Sequence, residues 1–398
     1  MRIAVPDPDL RQALDTIVRH VTRAGGRALV VGGTVRDALL DLPAEDLDLE
    51  VYGLAPETLR SLLDTHFDID LVGQSFGVIK LRGIPLDVSL PRRESKRGLG
   101  HKGFEVYSDP EMTVHEAARR RDFTINAMAW DPASEELVDP YAGAADLEKR
   151  MLRHVSEAFS EDPLRVLRGM QFTARFDLTP AAETIDLCRR IEPEGLAQER
   201  IFDEWSKLVL SGRAIGKGLD FLRATGWLRY TPELEALVDC PQEPEWHPEG
   251  DVWTHTCHVM DAFALERLDD RWEDLVVGFA CLCHDLGKPA TTFTDENGRI
   301  RSPDHEAQGE APTRDLLGRL TRQSQLIDEV VPLVREHLKP IQLFKANASA
   351  AAVRRLARRV GRIDRLVRVC RADHRGRPPL PWDDFPAGAW LLDRAAEL

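Results

Sequence analysis

Clustered cysteines, long apolar runs and excess positive charge are all missing from this chain of 398 residues. Its six cysteines form no CxxC pair, which is typical of reduced thiols in a cytoplasmic protein and not of a disulfide framework. The longest apolar run, residues 275–283, is far shorter than the ~20 residues that a bilayer-spanning helix needs. The first residues also lack the apolar stretch of a secretory signal. We therefore expect a cytoplasmic protein with no membrane contact.

The charge balance argues against a nonspecific nucleic-acid binder. The chain carries 53 basic and 67 acidic residues, a net charge of −14, whereas such binders usually have a positive field. Residues 353–377 depart from this balance, because arginine dominates their polar positions. The arginines at helical spacing are Arg354, Arg358, Arg362 and Arg365, and the apolar residues available for the opposite side are Leu356, Val360, Ile363 and Val367. Two interpretations stay open: a solvated helix face over a core stripe, or a surface for RNA phosphates.

Local patterns divide the chain into three predicted parts. Residues 1–150 alternate between strand signals (27–31, 46–52, 76–81 and 85–90) and helical ones (35–40), as in an α/β or α+β domain. Residues 151–245 are rich in helix signals, and the segment 243–250 (EPEWHPEG) breaks the pattern and predicts a boundary. Residues 246–398 are again helical and contain most of the clustered histidines.

The first candidate site combines a glycine turn with carboxylates. Gly32 and Gly33 follow a strand and precede a helix that carries Arg36, an arrangement suited to phosphate. In the next strand, alternation places Asp46 and Asp48, followed by Glu50, on one face. Neighbouring carboxylates suit Mg²⁺, and Asp87 from a later strand is a third candidate ligand. The alternative interpretation is an edge strand with a charged outer face.

A second pattern predicts selection of a nucleotide base. Asp162 and Arg165 are three residues apart, the spacing of neighbours on one helix face. A carboxylate accepts from an exocyclic amine and a guanidinium donates to a ring nitrogen, so the pair matches C and A and mismatches U and G at a cost of about 1–3 kcal/mol per hydrogen bond. An ordinary surface ion pair is the alternative.

The third pattern is a cluster of histidines and aspartates. A single buried histidine is usually structural, but here a His-Asp doublet is accompanied by further histidines and a distant aspartate on successive predicted helices. Imidazole and carboxylate ligands that converge in a helical bundle suit a divalent metal. The members are His255, His284, Asp285, His305, His337 and Asp373.

These segments resemble the bacterial (class II) tRNA nucleotidyltransferase/poly(A) polymerase family. The matching segments are residues 32–53 (GGTVRDALLDLPAEDLDLEVYG), 120–127 (RRDFTINA), 161–168 (EDPLRVLR) and a flexible loop at 91–104. The resemblance implies an α+β fold: a nucleotidyltransferase head with a small mixed sheet, an all-α neck and body, and a helical C-terminal domain. It implies catalysis by Asp46, Asp48 and Asp87, with Mg²⁺ on the first two. The implied nucleotide-binding residues are Gly32, Gly33, Arg36, Arg121, Asp122, Asn126, Asp162, Arg165 and Arg168. Gln171 stands where relatives often carry an arginine, a departure from the family pattern.

The histidine segments resemble HD-domain metallophosphohydrolases. The implied metal ligands are His255, His284, Asp285 and Asp373, with His305 and His337 binding a second metal or a substrate phosphate. The implied metal is Mg, Mn, Ni or Co, and the implied activities are those of a phosphatase and a 2′,3′-cyclic phosphodiesterase.

Together the two resemblances imply a CCA-adding enzyme that uses tRNA, CTP and ATP as a monomer or homodimer. Addition of CC alone, of A alone or of poly(A) stays open. So does an HD phosphohydrolase whose N-terminal half merely binds RNA or nucleotide.

Overall fold

The computed structural model describes residues 3–71, 77–96, 104–382 and 385–397. Its contacts divide the chain into two compact units, residues 1–165 with 179–195 and residues 166–178 with 196–398. The predicted domain limits at residues 150 and 245 stay predictions. The Pro/Glu-rich segment 243–250 lies inside the second unit.

The first unit combines helices with short strands. Its helices are α1 (Pro8–Arg23), α2 (Gly33–Leu39), α3 (Pro56–His66), α4 (Val114–Ala118), α5 (Gly143–Glu148), the start of α6 (Leu164–Phe176) and α7 (Ala182–Arg189), with 3-10 turns at Thr124–Asn126 and Glu157–Glu161. Its strands are β1 (Arg27–Val31), β2 (Leu47–Tyr52), β3 (Ile69–Asp70), β4 (Val78–Leu81), β5 (Leu86–Ser89), β6 (Arg92–Lys96), β7 (Phe104–Ser108), β8 (Ala129–Asp131), β9 (Glu136–Val138), β10 (Met151–Leu152) and β11 (Thr179–Pro180).

A mixed sheet organises this unit, in the order β3-β4-β5-β2-β1-β8-β9. β2 and β5 run parallel, and the other neighbours pair antiparallel. The central strand β1 is buried from residue 28 to residue 31, as expected for an apolar run covered on both faces. The predicted strands at 27–31, 46–52 and 85–90 are confirmed with ends shifted by one residue at most, and the prediction at 76–81 corresponds to β4, although residue 76 lies outside the described residues. The expected α+β head with a mixed sheet is confirmed.

The second unit is helical. Its elements are the rest of α6, α8 (Gln198–Ser211), α9 (Ile215–Ala224), a 3-10 turn at Trp227–Tyr230, α10 (Pro232–Glu235), α11 (Val252–Ala264), α12 (Arg271–Cys283), α13 (Lys288–Thr291), β12 (Phe293–Thr294), β13 (Ile300–Arg301), α14 (His305–Gln308), α15 (Glu310–Leu320), α16 (Ser324–Glu336), α17 (Lys339–Lys345), α18 (Ala350–Val360), α19 (Ile363–Arg375) and α20 (Pro386–Ala396). α11 packs on α9 and α19, and α12 packs on α16 and α19. α12 is buried over most of its length, and all of its residues from 274 to 283 are buried.

The arginine-rich segment forms two helices and not one. α18 ends at Gly361, whose φ of +71° suits glycine, and α19 starts two residues later. The predicted apolar stripe is confirmed, since Leu356, Val360 and Ile363, together with Val367, are buried.

The arginines of α19 make ion pairs within the unit. Arg365 is 8% exposed and forms a bidentate pair with Glu273 at 2.7 and 2.8 Å, with Glu329 also in contact. Arg368 pairs with Asp274 at 2.6 Å. The interpretation of Arg365 as part of a solvated or RNA-binding face is therefore wrong, because its guanidinium is buried against Glu273, whereas Arg362 stays exposed although it also contacts Glu273. Arg354 and Arg358 on α18 are exposed, as either interpretation predicts for them.

No helix in the described ranges is long and apolar enough to cross a membrane. All six cysteines are buried free thiols, in keeping with the sequence-based expectation of reduced cysteines.

Arg365→Met tests the ion-pair cluster. Arg365 lowers the pKa of Glu273, chiefly by its hydrogen bonds, and contributes to the lowered pKa of Glu329 against the effect of burial. A carboxyl whose folded-state pKa is depressed adds stability above its unfolded pKa and loses it as pH falls. We expect the variant to lose about 1–3 kcal/mol of unfolding free energy at pH 7, since two half-buried carboxylates lose their partner.

Thermal unfolding from pH 7 to pH 3 measures this effect. The difference in melting temperature between the variant and the parent should narrow as the pH falls below about 4.5, where the glutamates become protonated. Arg354→Met, on the exposed face of α18, is the matched control. A pH-independent gap would contradict the assignment.

Candidate functional site

The turn between β1 and α2 forms one wall of the first candidate site. Gly32 has a φ of +79°, which L side chains rarely adopt. A Cβ atom there would lie 3.6 Å from Nη1 of Arg121 and 3.8 Å from Oδ2 of Asp48. The glycine therefore keeps the space between a cation and a carboxylate open.

The three predicted catalytic aspartates lie on neighbouring strands. Asp46 and Asp48 are both exposed, with buried Leu47 between them, as the alternation predicts. Asp48 and Asp87 are register partners in the parallel pair β2/β5. Desolvation raises the pKa of the Asp48 carboxyl; Arg121 opposes this shift, and the charges of Asp46 and Asp87 add to it. Asp87 also forms an ion pair of 2.8 Å with Lys80.

This donor set fits Mg²⁺. Hard carboxylate oxygens are its preferred protein ligands, and it is usually bound by one or two of them together with water and substrate phosphates. Among the described residues, groups of three or more ligand atoms that lie within 4.8 Å of one another occur in the second unit, so the three aspartates are more widely spaced than a closed metal cage. Asp46 and Asp48, two residues apart on one strand face, are the pair available to such an ion.

A cavity of about 290 Å³ opens beside these aspartates. Both carboxylates and guanidinium groups line it, so it suits a ligand that carries both metal-bridged anionic groups and hydrogen-bond acceptors. Its charged lining residues are Asp48, Glu50, Asp87, Arg92, Arg120, Arg121, Glu161 and Arg165.

A buried network connects the other predicted nucleotide-binding residues. Arg36 is 4% exposed, and its Nη1 donates to Oδ1 of Asn126 at 2.6 Å. Asn126 donates in turn to Oδ1 of Asp122 at 3.0 Å, and the same oxygen accepts from the Phe123 backbone at 2.7 Å. Asn126 thus bridges the Arg36 guanidinium and the Asp122 carboxylate. These contacts give Arg36 a positioning role within the turn and do not show its fork facing the cavity.

The predicted pair Asp162 and Arg165 does not share a helix face. Asp162 precedes α6, and its Oδ1 accepts from the Leu164 backbone at 3.1 Å, so it caps the helix start. Arg165 donates to the backbone carbonyls of Ala158 at 2.7 Å and Arg120 at 2.8 Å. Arg165 nevertheless lines the cavity.

Two other predictions fall elsewhere. Arg168 and Gln171 belong to the second unit, so the phosphate contact of Arg168 stays a prediction. The loop prediction at 91–104 covers residues 97–103, which lie outside the described residues.

The histidine–aspartate cluster converges in the second unit. His255 lies on α11, His284 caps α12, His305 begins α14, His337 caps α16 and Asp373 lies on α19. Nε2 of His255 is 3.1 Å from Oδ1 of Asp373 and 3.8 Å from Oδ2 of Asp285. Ligand atoms lie within 4.8 Å of one another in two sets: His255, His284 and Asp373, and Asp285, His305 and His337. The structure thus brings all six predicted residues together.

Backbone carbonyls hold the imidazoles with Nε2 inward. Nδ1 lies 2.7 Å from the Cys281 carbonyl in His284, 2.8 Å from Ser302 in His305 and 2.7 Å from Val334 in His337. Each Nδ1 must carry the proton of that bond, which leaves Nε2 of the neutral ring with a lone pair.

The inward atoms fit a cation. Nε2 of His284 and Oδ2 of Asp285 are buried 3.1 Å apart without a hydrogen bond between them. Nε2 atoms of His305 and His337 face each other at 3.3 Å. Lone pairs held this close repel unless a proton or metal ion lies between them, so the donor set suits a divalent metal.

Burial and charge oppose each other in this cluster. Burial acts against ionisation of Asp285, but its interactions with His284 and Lys288 hold the pKa of this carboxyl well below the usual range. Burial lowers the pKa of His337 to about 3. Lys288, 7% exposed, lies 2.7 Å from Oδ2 of Asp285 and 2.6 Å from Gln242.

Sequence reasoning missed four residues at this site. Gln242, His247 and Lys288 line a cavity with Asp285, His305 and His337, and Glu249 lies behind His255. The prolines of the segment 243–250 predict a domain boundary, and His247 and Glu249 lie within that segment. A signal was available in the sequence, because His247 and Glu249 directly precede the helix that carries His255, the first predicted metal ligand.

The geometry defines a class of protein: a nucleotidyltransferase head on a mixed sheet joined to a helical metal-binding HD domain. Family models agree, with the Poly A polymerase head domain matching residues 28–153 and the HD domain matching residues 252–374.

Curated relatives match nearly the whole chain. The Multifunctional CCA protein of Stenotrophomonas maltophilia (strain R551-3) is 40% identical over 380 residues, covering 91% of this chain and 89% of the relative. That of Xylella fastidiosa (strain 9a5c) is 38% identical, covering 92% and 88%. The chain therefore belongs to the multifunctional CCA protein family, the group of CCA-adding tRNA nucleotidyltransferases that the resemblance had indicated.

Solved structures share the fold. The Bacillus stearothermophilus CCA-adding enzyme in complex with CTP superposes with a TM-score of 0.65 at 23% identity, covering 98% of this chain and 83% of that one. The Thermotoga maritima CCA-adding enzyme complexed with tRNA_CCA gives 0.61 at 18% identity with the same coverage.

The turn after α12, residues 284–287, carries His284 and Asp285 and is called the HD turn. Gly287→Ala tests its packing. An added Cβ would lie 2.0 Å from the His305 carbonyl oxygen, so the His305 backbone must move away from Asp285. We expect weaker Co²⁺ binding and a lower melting temperature, measured by calorimetry. Gly318→Ala, on the exposed face of α15 with nothing within 4 Å of the added Cβ, should keep the Co²⁺ affinity and should not lower the melting temperature, since alanine is the better helix former. Unchanged Co²⁺ affinity in Gly287→Ala would refute the assigned role of this turn.

Proposed function

We propose that this protein adds C and A to the 3′ ends of tRNA from CTP and ATP. The observation that carries the proposal is the register pair Asp48 and Asp87 beside the Gly32 turn, at a cavity that Arg121 and Arg165 also line. Its family membership supports CCA addition, and the named ligands of the structural relatives, CTP and tRNA, support these substrates.

In this proposal the RNA 3′-hydroxyl attacks the α-phosphate of the nucleotide and pyrophosphate leaves. Mg²⁺ bound by Asp46 and Asp48 would activate the hydroxyl and stabilise charge on the reacting oxygens. The Gly32 turn leaves room for phosphate oxygens, and Arg121, whose Nη1 faces that turn, neutralises them. Asn126 holds Asp122 in place for a ribose hydroxyl.

Base selection is assigned to Arg165 and Asp162. Arg165 is fixed by two backbone carbonyls, which holds its guanidinium in one orientation at the cavity. A rigid donor can discriminate between bases because an incorrect base leaves it unpaired. The proposed acceptor, Asp162, requires a carboxylate oxygen beyond its cap contact with Leu164.

A second activity is assigned to the HD centre. The facing lone pairs of His284 and Asp285, and of His305 and His337, favour a divalent metal such as Mg, Mn, Ni or Co and hydrolysis of phosphoesters, including 2′,3′-cyclic ones. His305, His337 and Lys288 line the cavity where a substrate phosphate would bind. A cytoplasmic location and a monomeric or homodimeric state complete the proposal.

Paired substitutions test the two centres. Asp46→Ala with Asp48→Ala should abolish addition to a tRNA that ends at the discriminator base, because the Mg²⁺ ligands are gone, and should leave metal-dependent phosphatase activity. Asp285→Ala should do the reverse. The measurements are product length on denaturing gels with CTP and ATP, and phosphate release.

The same assay separates the alternatives. A parent product three nucleotides longer supports CCA addition, whereas products of other lengths indicate CC-only, A-only or poly(A) addition. No extension at all, with nucleotide binding retained, would leave the HD hydrolase as the function. Loss of both activities in either variant would contradict separate centres.

Arg165→Ala tests base selection. We expect preference for C and A over U and G to fall by roughly tenfold or more, since one or two base hydrogen bonds of about 1–3 kcal/mol each are lost. Incorporation of all four nucleotides is the measurement, and Arg189→Ala, an exposed arginine paired with Asp186, is the control. Unchanged selectivity in a folded variant would refute the role of Arg165.

A further inference from the structure

The segment before α11 places a buried carboxylate behind the HD centre. Gly250 has a φ of +129°, and this turn directs Glu249 back toward the helix that follows. Oε1 of Glu249 lies 2.8 Å from Nδ1 of His255, and both side chains are fully buried. The same oxygen accepts from Nδ1 of His247 at 2.9 Å.

These contacts fix the ring of His255. Its Nδ1 also lies 3.0 Å from the Gly376 carbonyl, so two acceptors face one ring nitrogen. An unprotonated Nδ1 would oppose both oxygens with a lone pair, and the proton therefore sits on Nδ1. Nε2 is then the ring atom that faces Asp373, 3.1 Å away, and Asp285, and it is the atom available to a metal ion.

His247, Glu249 and His255 also lie close enough together to suggest a metal site of their own. The Gly376 carbonyl argues against one, because a metal on Nδ1 would require removing the proton that this carbonyl accepts. The arrangement is instead a hydrogen-bonded chain from His247 through Glu249 to His255.

Glu249 would be costly without a role. Oε2 is buried with no hydrogen-bond partner in the described part of the chain, and such a group costs free energy. Carboxylates behind metal-bound histidines orient the ring and raise the basicity of the ligating nitrogen.

We propose that Glu249 is a positioning residue of the HD centre, which holds His255 in the tautomer and orientation needed to bind the metal. The inference rests on the proposed HD metal centre. His247 in turn fixes Glu249, and the segment 243–250 is part of the metal centre and not a linker.

The test is Co²⁺ affinity of the full chain by titration calorimetry. The background is Asp46→Ala with Asp48→Ala, which removes the oxygen-ligand site of the head. Glu249→Gln keeps the side-chain shape but replaces the acceptor charge with an amide, and we expect at least a tenfold weaker affinity. Glu245→Gln, on the same segment with its carboxylate 54% exposed, is the matched control and should bind as the background does.

A melting curve without metal separates positioning from a structural role. If Glu249 only stabilises the fold, Glu249→Gln lowers the metal-free melting temperature and changes the Co²⁺ affinity by no more than twofold. If Glu249 positions His255, the Co²⁺ affinity falls at least tenfold. Co²⁺ affinity within twofold of the background, or an equal loss in Glu245→Gln, overturns it.

If Glu249→Gln does not fold, Glu249→Asp decides. Glu249→Asp keeps the negative charge, but its shorter side chain withdraws the carboxylate oxygen from Nδ1 of His255. Weaker Co²⁺ binding supports the proposal, whereas unchanged binding overturns it. A background chain that binds no Co²⁺ refutes the HD metal centre itself, which the first titration shows before any Glu249 variant is compared.

Discussion

Repulsion between side chains that the fold holds together is the constraint on which both candidate sites depend. Parallel pairing of β2 and β5 fixes Asp48 opposite Asp87, and the HD turn fixes Nε2 of His284 against Oδ2 of Asp285. Two carboxylates repel each other, and so do an unprotonated Nε2 and a carboxylate, so rigid elements must hold these groups together: a buried sheet in one unit and packed helices in the other. The unfavourable free energy of holding such groups together is relieved when a cation binds between them, and this favours cation binding.

Local periodicity accounts for much of what the sequence predicts. Alternation in residues 46–52 correctly places Asp46 and Asp48 on one face, since side-chain direction along a strand has a period of two. The register between Asp48 and Asp87 is non-local and follows from the sheet order, which no local pattern encodes. Asp162 shows the same limit at a helix end, because a capping aspartate and a first-turn aspartate differ by one residue of helix start.

The arginines of α19 show why residue counts mislead about surfaces. The segment 353–377 is basic in sequence, yet Arg365 and Arg368 face Glu273 and Asp274 from α12, ninety or so residues away along the chain. Guanidinium groups are suited to such buried pairs because they remain charged and bond carboxylates in a bidentate manner. Some acidic residues of the chain therefore neutralise these arginines internally, and the residue counts say little about whether RNA can bind elsewhere.

The two donor sets also differ in kind, so the metal proposed for one site differs from the metal that the other site favours. Asp48 offers hard oxygens at the wall of an open cavity, with exposed Asp46 two residues before it, and a cation held there would complete its coordination with water or phosphate. His255, His284 and His337 offer nitrogens in a buried cluster, each with Nδ1 held by a carbonyl, which favours transition metals over Mg²⁺. A transition metal thus gains most from the HD centre and Mg²⁺ gains most when a triphosphate is present. The choice of metal at each centre would then follow from the type of ligand atom and from the bound substrate, and the two centres would not compete for the same metal ion.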